Sequence, residues 1–242
     1  MTDRSGGVGP VGPGVGEEED VVALFTDRCD AGRRLARRTR SHLGARASAE
    51  PVVVGLGPGG VAVALEVARE LGAPLDVLVA RPLTAPGNGT PIGALAGEEP
   101  PVLDLRVMRG LGIGPADLAA EVARQRVELH RLEKLYRNRR PPLPLDGRTA
   151  VLVTDGVLHG PLAHAAVHSL RARGPERLVL ATPVCDARSA VALRRHVDAL
   201  LCLHEATYLH AVGPWYADFR DVTDRDVAGL LGRQPAADSP RG

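Results

Sequence analysis

Between residues 149 and 170 the chain reads Thr149-Ala150-Val151-Leu152-Val153, then Thr154-Asp155-Gly156, then Val157-Leu158-His159-Gly160-Pro161-Leu162, and continues as an alanine-rich stretch to Leu170. An apolar strand passes through an acidic turn and a glycine loop into a helix. A strand apolar on both faces needs cover on both faces, which is the condition of a buried parallel sheet. In an open α/β sheet the ligand sits at such a junction, outside the carboxyl end of a strand. The first N–H groups of the following helix have no helical partner and can face an anion.

The same alternation recurs along the chain. A short apolar strand at 52–54 leads through a tight glycine loop at 55–60 into an apolar helix at 61–71 that Gly72 ends. A strand at 75–80 follows, then a Gly- and Pro-rich loop at 81–91 and a hairpin of 92–96 with 102–105. Pro115, behind Gly114, opens a long charged helix to about residue 138, and a Pro-rich connector covers 139–148. Beyond the 149–170 unit come a strand at 178–182, a helix at about 187–196, a strand at 199–203 and a short helix near 224–231. The expected fold is therefore α/β, a mainly parallel sheet flanked by helices. A first helix begins near Phe25-Thr26-Asp27, with Thr26 or Asp27 as its cap and Ala31, Leu35 and Ala36 on its inner face. Its other face carries Arg33, Arg34, Arg37, Arg38 and Arg40, which reads as a solvated face. Residues 1–20 and 234–242 are Gly- and Pro-rich or polar and read as disordered tails around one domain at 21–233.

Charge and composition exclude several classes. The 30 basic and 29 acidic residues leave a net charge of +1, which gives no footprint for nucleic acid or a membrane surface. No apolar run is long enough to span a bilayer. The three cysteines, Cys29, Cys185 and Cys202, form no framework, which suits a reducing cytoplasm. There is no G-x-S-x-G elbow for a serine hydrolase. His164 and His168 stand one helical turn apart, yet no full set of metal ligands is visible; Cys202 and His204 share a strand face and could be ligands, although a core cysteine is the usual case. In a chain with one Trp, three Tyr and two Phe, Trp215 and Tyr216 serve either to stack a base or to pack the C-terminal segment on the sheet.

Gly55-Leu56-Gly57-Pro58-Gly59-Gly60 matches G-x-G-x-x-G between a strand and a helix, and Arg81 ends the next strand. One reading is thus a dinucleotide-binding oxidoreductase, with Arg81 toward a 2′-phosphate.

A wider set of motifs points elsewhere. They are Phe25-Thr26-Asp27-Arg28-Cys29-Asp30-Ala31-Gly32-Arg33-Arg34-Leu35-Ala36; Gly59-Gly60-Val61; Glu66-Val67-Ala68 with Leu71-Gly72-Ala73-Pro74-Leu75-Asp76-Val77; and Ala85-Pro86-Gly87-Asn88. Later come Tyr136-Arg137, Arg140-Pro141-Pro142, Gly147-Arg148-Thr149 and Val212-Gly213-Pro214-Trp215-Tyr216-Ala217-Asp218-Phe219. In this order the chain resembles the type I phosphoribosyltransferases over roughly residues 22 to 232. The resemblance implies a small hood built from the N- and C-terminal segments. It also implies a small-molecule ligand, phosphoribosyl pyrophosphate (PRPP) or a nucleotide, bound with Mg2+, and transfer of the phosphoribosyl group to a nitrogen nucleophile with release of pyrophosphate. By the same resemblance Asp155 is the catalytic acid, Thr154, Asp155, Gly156, His159 and Gly160 hold the ribose 5-phosphate, and Gly59, Gly60 and Arg81 face the pyrophosphate. The long helix at 115–138 is a surface on which a homo-oligomer can form.

The chain departs from the family pattern at three loops. Thr154 stands at the first of two acids, His159 and Leu162 stand at the two phosphate-binding threonines, and Pro161 has no N–H to donate. The pyrophosphate loop has Pro58 in place of arginine, and Pro82 follows Arg81 where lysine is usual. The segment after Asn88 lacks its usual glutamate. Alongside an active transferase, these losses fit a binding or regulatory protein on the same fold, with degraded chemistry.

Overall fold

The computed structural model describes residues 23–44, 50–158 and 160–232. The regions read above as tails, and His159, lie outside them.

A five-stranded parallel sheet carries the fold. Its strands are β1 (Pro51–Leu56), β2 (Leu75–Leu78), β6 (Thr149–Val153), β7 (Arg177–Asp186) and β8 (Ala199–Ala206), in the spatial order β2-β1-β6-β7-β8. Val53 aligns with Leu75 on one side and Val151 on the other, Val151 with Val179, and Ala181 with Leu201. Because side chains alternate across a strand, Val53, Val151 and Val179 bury into one core and Val52, Leu152 and Leu180 into the other. The first core is roofed by α1 (Arg28–Leu43), α2 (Gly57–Leu71), α4 (Pro115–Tyr136) and α7 (Asp224–Gly232). The second lies under α5 (Gly160–Ala172) and α6 (Ala187–Leu193).

A smaller antiparallel sheet of β3 (Ala80–Thr84), β4 (Pro91–Ala96) and β5 (Val102–Leu103) stands beside it. This corrects the sequence reading in two places. The strand expected at 75–80 breaks at Val79, and its continuation joins the second sheet. Residues 80–84, expected as loop, pair with β4 in the register Arg81 to Leu95 and Pro82 to Ala94. Pro82 lies on an edge strand of this sheet, the place where a residue that cannot donate to the ladder is tolerated. A short helix α3 (Leu105–Leu111), not foreseen in the sequence, is capped by Asp104, whose carboxylate accepts from the Arg106 and Val107 N–H groups. The strands at 178–182 and 199–203 run longer than expected, to Asp186 and Ala206.

Buried charge ties the edge of the main sheet to the end of α4 and the connector after it. Asp76 on β2 accepts from Arg137 Nε at 3.0 Å and from the Leu143 N–H at 3.0 Å, and Arg137 Nη2 donates to the Val77 carbonyl. The basic face of α1 is solvent-facing, as read: Arg33, Arg34, Arg37, Arg38 and Arg40 are all exposed.

The two ends of the described chain close into a hood. Phe25 N–H donates to the Trp215 carbonyl, and the Ala217 and Asp218 N–H groups donate to the carbonyls of Phe25 and Thr26. Phe25, Trp215 and Tyr216 are buried in a third cluster with Ala31, Val184, Ala206 and Leu209.

Candidate functional site

The main sheet turns its strand order at one point. From β1 the chain goes outward to β2; from β6 it goes the other way, to β7 and β8. Such a switch leaves a crevice at the carboxyl ends of the two central strands. Two segments fill its floor: the start of α2 after β1, and residues 154–158 after β6.

The glycine loop expected at 55–60 is almost absent. β1 runs to Leu56 and α2 begins at Gly57, with Pro58 in its first turn. Its glycines answer to crowding. A Cβ on Gly59 would lie 1.9 Å from Asp155 Oδ2, and one on Gly60 would lie 2.7 Å from the Val153 carbonyl oxygen. The carboxylate of Asp155 therefore rests against the first turn of α2. The dinucleotide reading needs pyrophosphate at that helix start, and an acid already lies there.

Asp155 is the centre of the arrangement. Its Oδ2 accepts from Arg28 Nε at 2.9 Å, and its carbonyl accepts from the Tyr216 hydroxyl at 2.5 Å. Burial pushes the Asp155 carboxyl above the usual carboxylate range, and the Arg28 guanidinium opposes that shift. Burial, with the Asp155 charge behind it, raises the Tyr216 hydroxyl, which stays a donor. Arg28 Nη1 also donates to the Arg220 carbonyl at 2.7 Å, and its guanidinium lies 3.8 Å from the centroid of Phe219. Phe25 and Phe219 flank the Tyr216 ring at 5.3 and 4.9 Å.

Thr154 takes a structural part. It is buried, its hydroxyl donates to the Gly156 carbonyl at 3.1 Å, and its backbone N–H donates to the Ala181 carbonyl. Beyond it Val157 bridges to β7, its N–H on the Val184 carbonyl at 2.9 Å. A Cβ on Gly156 would strike Val212 of the hood. The turn is thus pinned from below by β7 and from above by the hood. Gly160 opens α5, so its N–H and that of Leu162 lie in the first helical turn, while Pro161 contributes none.

The other wall of the crevice is different in kind. A cavity of about 270 Å³ is lined by Pro82, Pro91, Gly93, Ala94, Thr154, Gly156, Val157, Leu158, Pro161, Leu162 and Ala163. It holds no charged side chain. Strand alternation explains why Arg81 is not in it: Pro82 faces the cavity, and Arg81 points to the other side, where its Nε donates to Gln125 Oε1 of α4 at 2.9 Å. Arg81 is therefore withdrawn from the site.

The remaining candidates separate. His164 leans on the His196 ring at 4.7 Å, and His168 turns toward Glu99, so the pair does not converge. Cys185 and Cys202 are buried, and burial pushes their thiols up to about 12 and about 11. Trp215 packs on His204 at 4.6 Å inside the hood cluster. Among the described residues no group of three His, Cys, Asp or Glu side chains is placed to hold a metal. Asp155 is engaged by Arg28 and Thr154 is turned inward, so the described residues do not by themselves build a Mg2+ site.

No family model matches the chain. A protein of Mycobacterium tuberculosis, named provisionally as a phosphoribosyl transferase in strains H37Rv and CDC 1551, is 39% identical over 214 residues, 88% of this chain and 47% of that protein. The crystal structure of TT1426 from Thermus thermophilus superposes with a TM-score of 0.70 at 38% identity, covering 86% of this chain and 97% of that one. The chain belongs to the type I phosphoribosyltransferase family. It spans about half the length of the curated relatives it matches. Within this phosphoribosyltransferase frame the sequence motifs at 25–36 and 212–219 are the two halves of the hood that holds the Asp155 turn. Sequence reasoning missed Arg28 as a member of the site. Its one signal was its place in the first motif, since nothing local marks a partner 127 residues away.

Proposed function

We propose that this chain binds a small molecule carrying ribose 5-phosphate, PRPP or a nucleotide, in the crevice between β1 and β6, and that phosphoribosyl transfer there is slow. The observation that carries this reading is the Asp155 carboxylate, seated on Gly59 at the end of β6 and held by Arg28 under the hood. An ionised carboxylate in that place accepts from ribose hydroxyls and offsets positive charge that develops on the ribose as its bond to the leaving group breaks. The first turn of α5, at Gly160 and Leu162, has backbone N–H groups that can meet a 5-phosphate.

The apolar wall supports the second half of the proposal. Where the family uses a lysine and threonines, the side chains of Pro82, Pro161 and Leu162 offer no donor to a phosphate, and the two prolines lack a backbone N–H as well. Loss of one transition-state donor lowers a rate by about 10²–10³. Mg2+ enters only as a companion of a diphosphate ligand. The thiols at Cys29, Cys185 and Cys202 are unbridged, which supports a reducing, cytoplasmic setting. No described helix is long and apolar enough to cross a membrane.

Calorimetry with ribose 5-phosphate and with PRPP, paired with a pyrophosphate-exchange assay in Mg2+, tests this. Millimolar or tighter binding that Asp155→Asn weakens, with exchange far below that of an intact family site, is the expected result. Absence of binding at millimolar ligand overturns the binding claim. Fast exchange abolished by Asp155→Asn overturns the claim that transfer is slow.

A further inference from the structure

Arg28 is used on three sides. It opens α1, whose N-terminus Asp27 caps by accepting from the Asp30 N–H at 2.7 Å, so its backbone is fixed. Its side chain is 12% exposed, with Nε on Asp155 Oδ2, Nη1 on the Arg220 carbonyl, and its face on Phe219. A planar fork held at two edges and one face has little freedom, and a lysine ammonium reproduces only the charge. Each contact except that with Asp155 belongs to the hood.

The other charges nearby are already committed. On α1, Asp30 pairs with Arg34. In the hood, Asp218 pairs with Arg220 at 2.8 Å, and Tyr216 spends its hydroxyl on the Asp155 carbonyl. The first turn of α2, from Gly57 to Gly60, has no charged side chain. Arg28 is thus the cation facing Asp155 among the described residues.

We propose that Arg28 is the positioning residue of this site: it orients the Asp155 carboxylate against Gly59, and makes that setting conditional on a docked hood. The proposal rests on the reading of Asp155 as the ribose acceptor. Its logic is electrostatic. Burial favours the neutral acid, and Arg28 is the group that opposes this. Without it the carboxyl takes up a proton at higher pH, and a protonated carboxyl is a poorer acceptor for a ribose hydroxyl. Ligand affinity is then lost as pH falls through the raised titration.

The test uses the full chain with Arg28→Met, Arg28→Lys and Phe219→Leu, each checked for native circular dichroism. The Asp155 carboxyl is titrated by carbon-detected NMR in the ligand-free protein, and ribose 5-phosphate binding is measured by calorimetry from about pH 5 to about pH 8. Arg28→Met is expected to move the Asp155 titration upward and to weaken ribose 5-phosphate by about tenfold or more at neutral pH, as for a lost charge-assisted hydrogen bond, the deficit growing as pH falls. Arg28→Lys restores most of the titration but only part of the affinity. Phe219→Leu, which keeps the cation and loosens its seat, shifts both in the same direction by less and keeps the test alive if Arg28→Met does not fold.

An Asp155 titration that Arg28→Met leaves unmoved overturns the proposal, as does unchanged affinity across the pH range where wild type binds. If wild type binds no ribose 5-phosphate while the titration still moves, the positioning of Asp155 by Arg28 stands and the ribose reading is what has failed.

Discussion

The two walls of the crevice belong to one site and follow opposite rules. On the hood side the polar groups are paired with one another: Arg28, Asp155, Tyr216 and the Arg220 carbonyl form one bonded group around Phe219. On the β4–α5 side the lining is proline, glycine and aliphatic residues, and the hydroxyl of Thr154 is turned into its own loop. A carboxylate and guanidinium are expensive to desolvate and persist in a fold when fully paired. An apolar lining needs no such pairing. The difference teaches that on the hood side Asp155 is held in place by its own partners, while the β4–α5 side offers inert packing where the resemblance puts polar side chains.

The largest test of this contrast is steric. Gly59→Val is expected to abolish ribose 5-phosphate binding by calorimetry, because its side chain would occupy the seat of the Asp155 carboxylate, and to lower stability by about 1–3 kcal/mol as overpacking does. A variant that binds normally would show that Asp155 is not the acceptor. Next comes Tyr216→Phe. It leaves the Asp155 carbonyl without its donor, so denaturant unfolding should report a loss of about 1 kcal/mol, and ligand affinity should fall with it.

The apolar wall invites the opposite experiment. Pro82→Lys with Leu162→Thr returns a cation and a hydroxyl to the cavity, and should raise pyrophosphate exchange at least about tenfold, while stability moves by under about 1 kcal/mol. If exchange does not rise, the poverty of that wall is not what limits the chemistry.

The smallest expected effect lies behind that wall. Burial, and then the neighbouring His196, lower the titration of His164, whose Nε2 has no partner among the described residues. The unfolded chain binds the proton first. The stability contributed by neutral His164 is therefore full above its ordinary value near 6.5 and is lost as pH falls through the lowered one. His164→Gln should flatten the melting temperature between pH 7 and 5 without altering ligand affinity. A slope that persists in the variant would assign it to other groups.

What the sequence made legible follows the same division. Long apolar runs such as 52–56 and 149–153 declare buried strands because nothing else can bury them, and Gly72 and Pro115 mark helix ends by backbone geometry alone. Residues 80–84 escaped because Arg81 and Pro82 have low strand propensity, and only pairing with β4 decides their state. The helix at 105–111 is too short for its periodicity to show. Asp155 was visible because it stands at the end of a strand, a local signal. Arg28 was not, and Tyr216 was singled out for its ring and not for its hydroxyl, because an ion pair or a hydroxyl contact between distant segments leaves no period in either one. Arg81 misled for the complementary reason: it stands inside β3 rather than at the end of β2, and alternation turns it away from the cavity.

The hood has a consequence for how the protein comes into being. Its two halves, around Phe25 and around Trp215–Ala217, are separated by nearly the whole described chain, yet they meet backbone to backbone. Contacts of such long sequence separation form late, because the intervening loop must close first. During synthesis the sheet and its helices can assemble while Arg28 still waits for Phe219 and the Arg220 carbonyl. The crevice is roofed only when the last segment arrives, so a chain stopped before residue 215 would have a nearly complete sheet and an unroofed crevice.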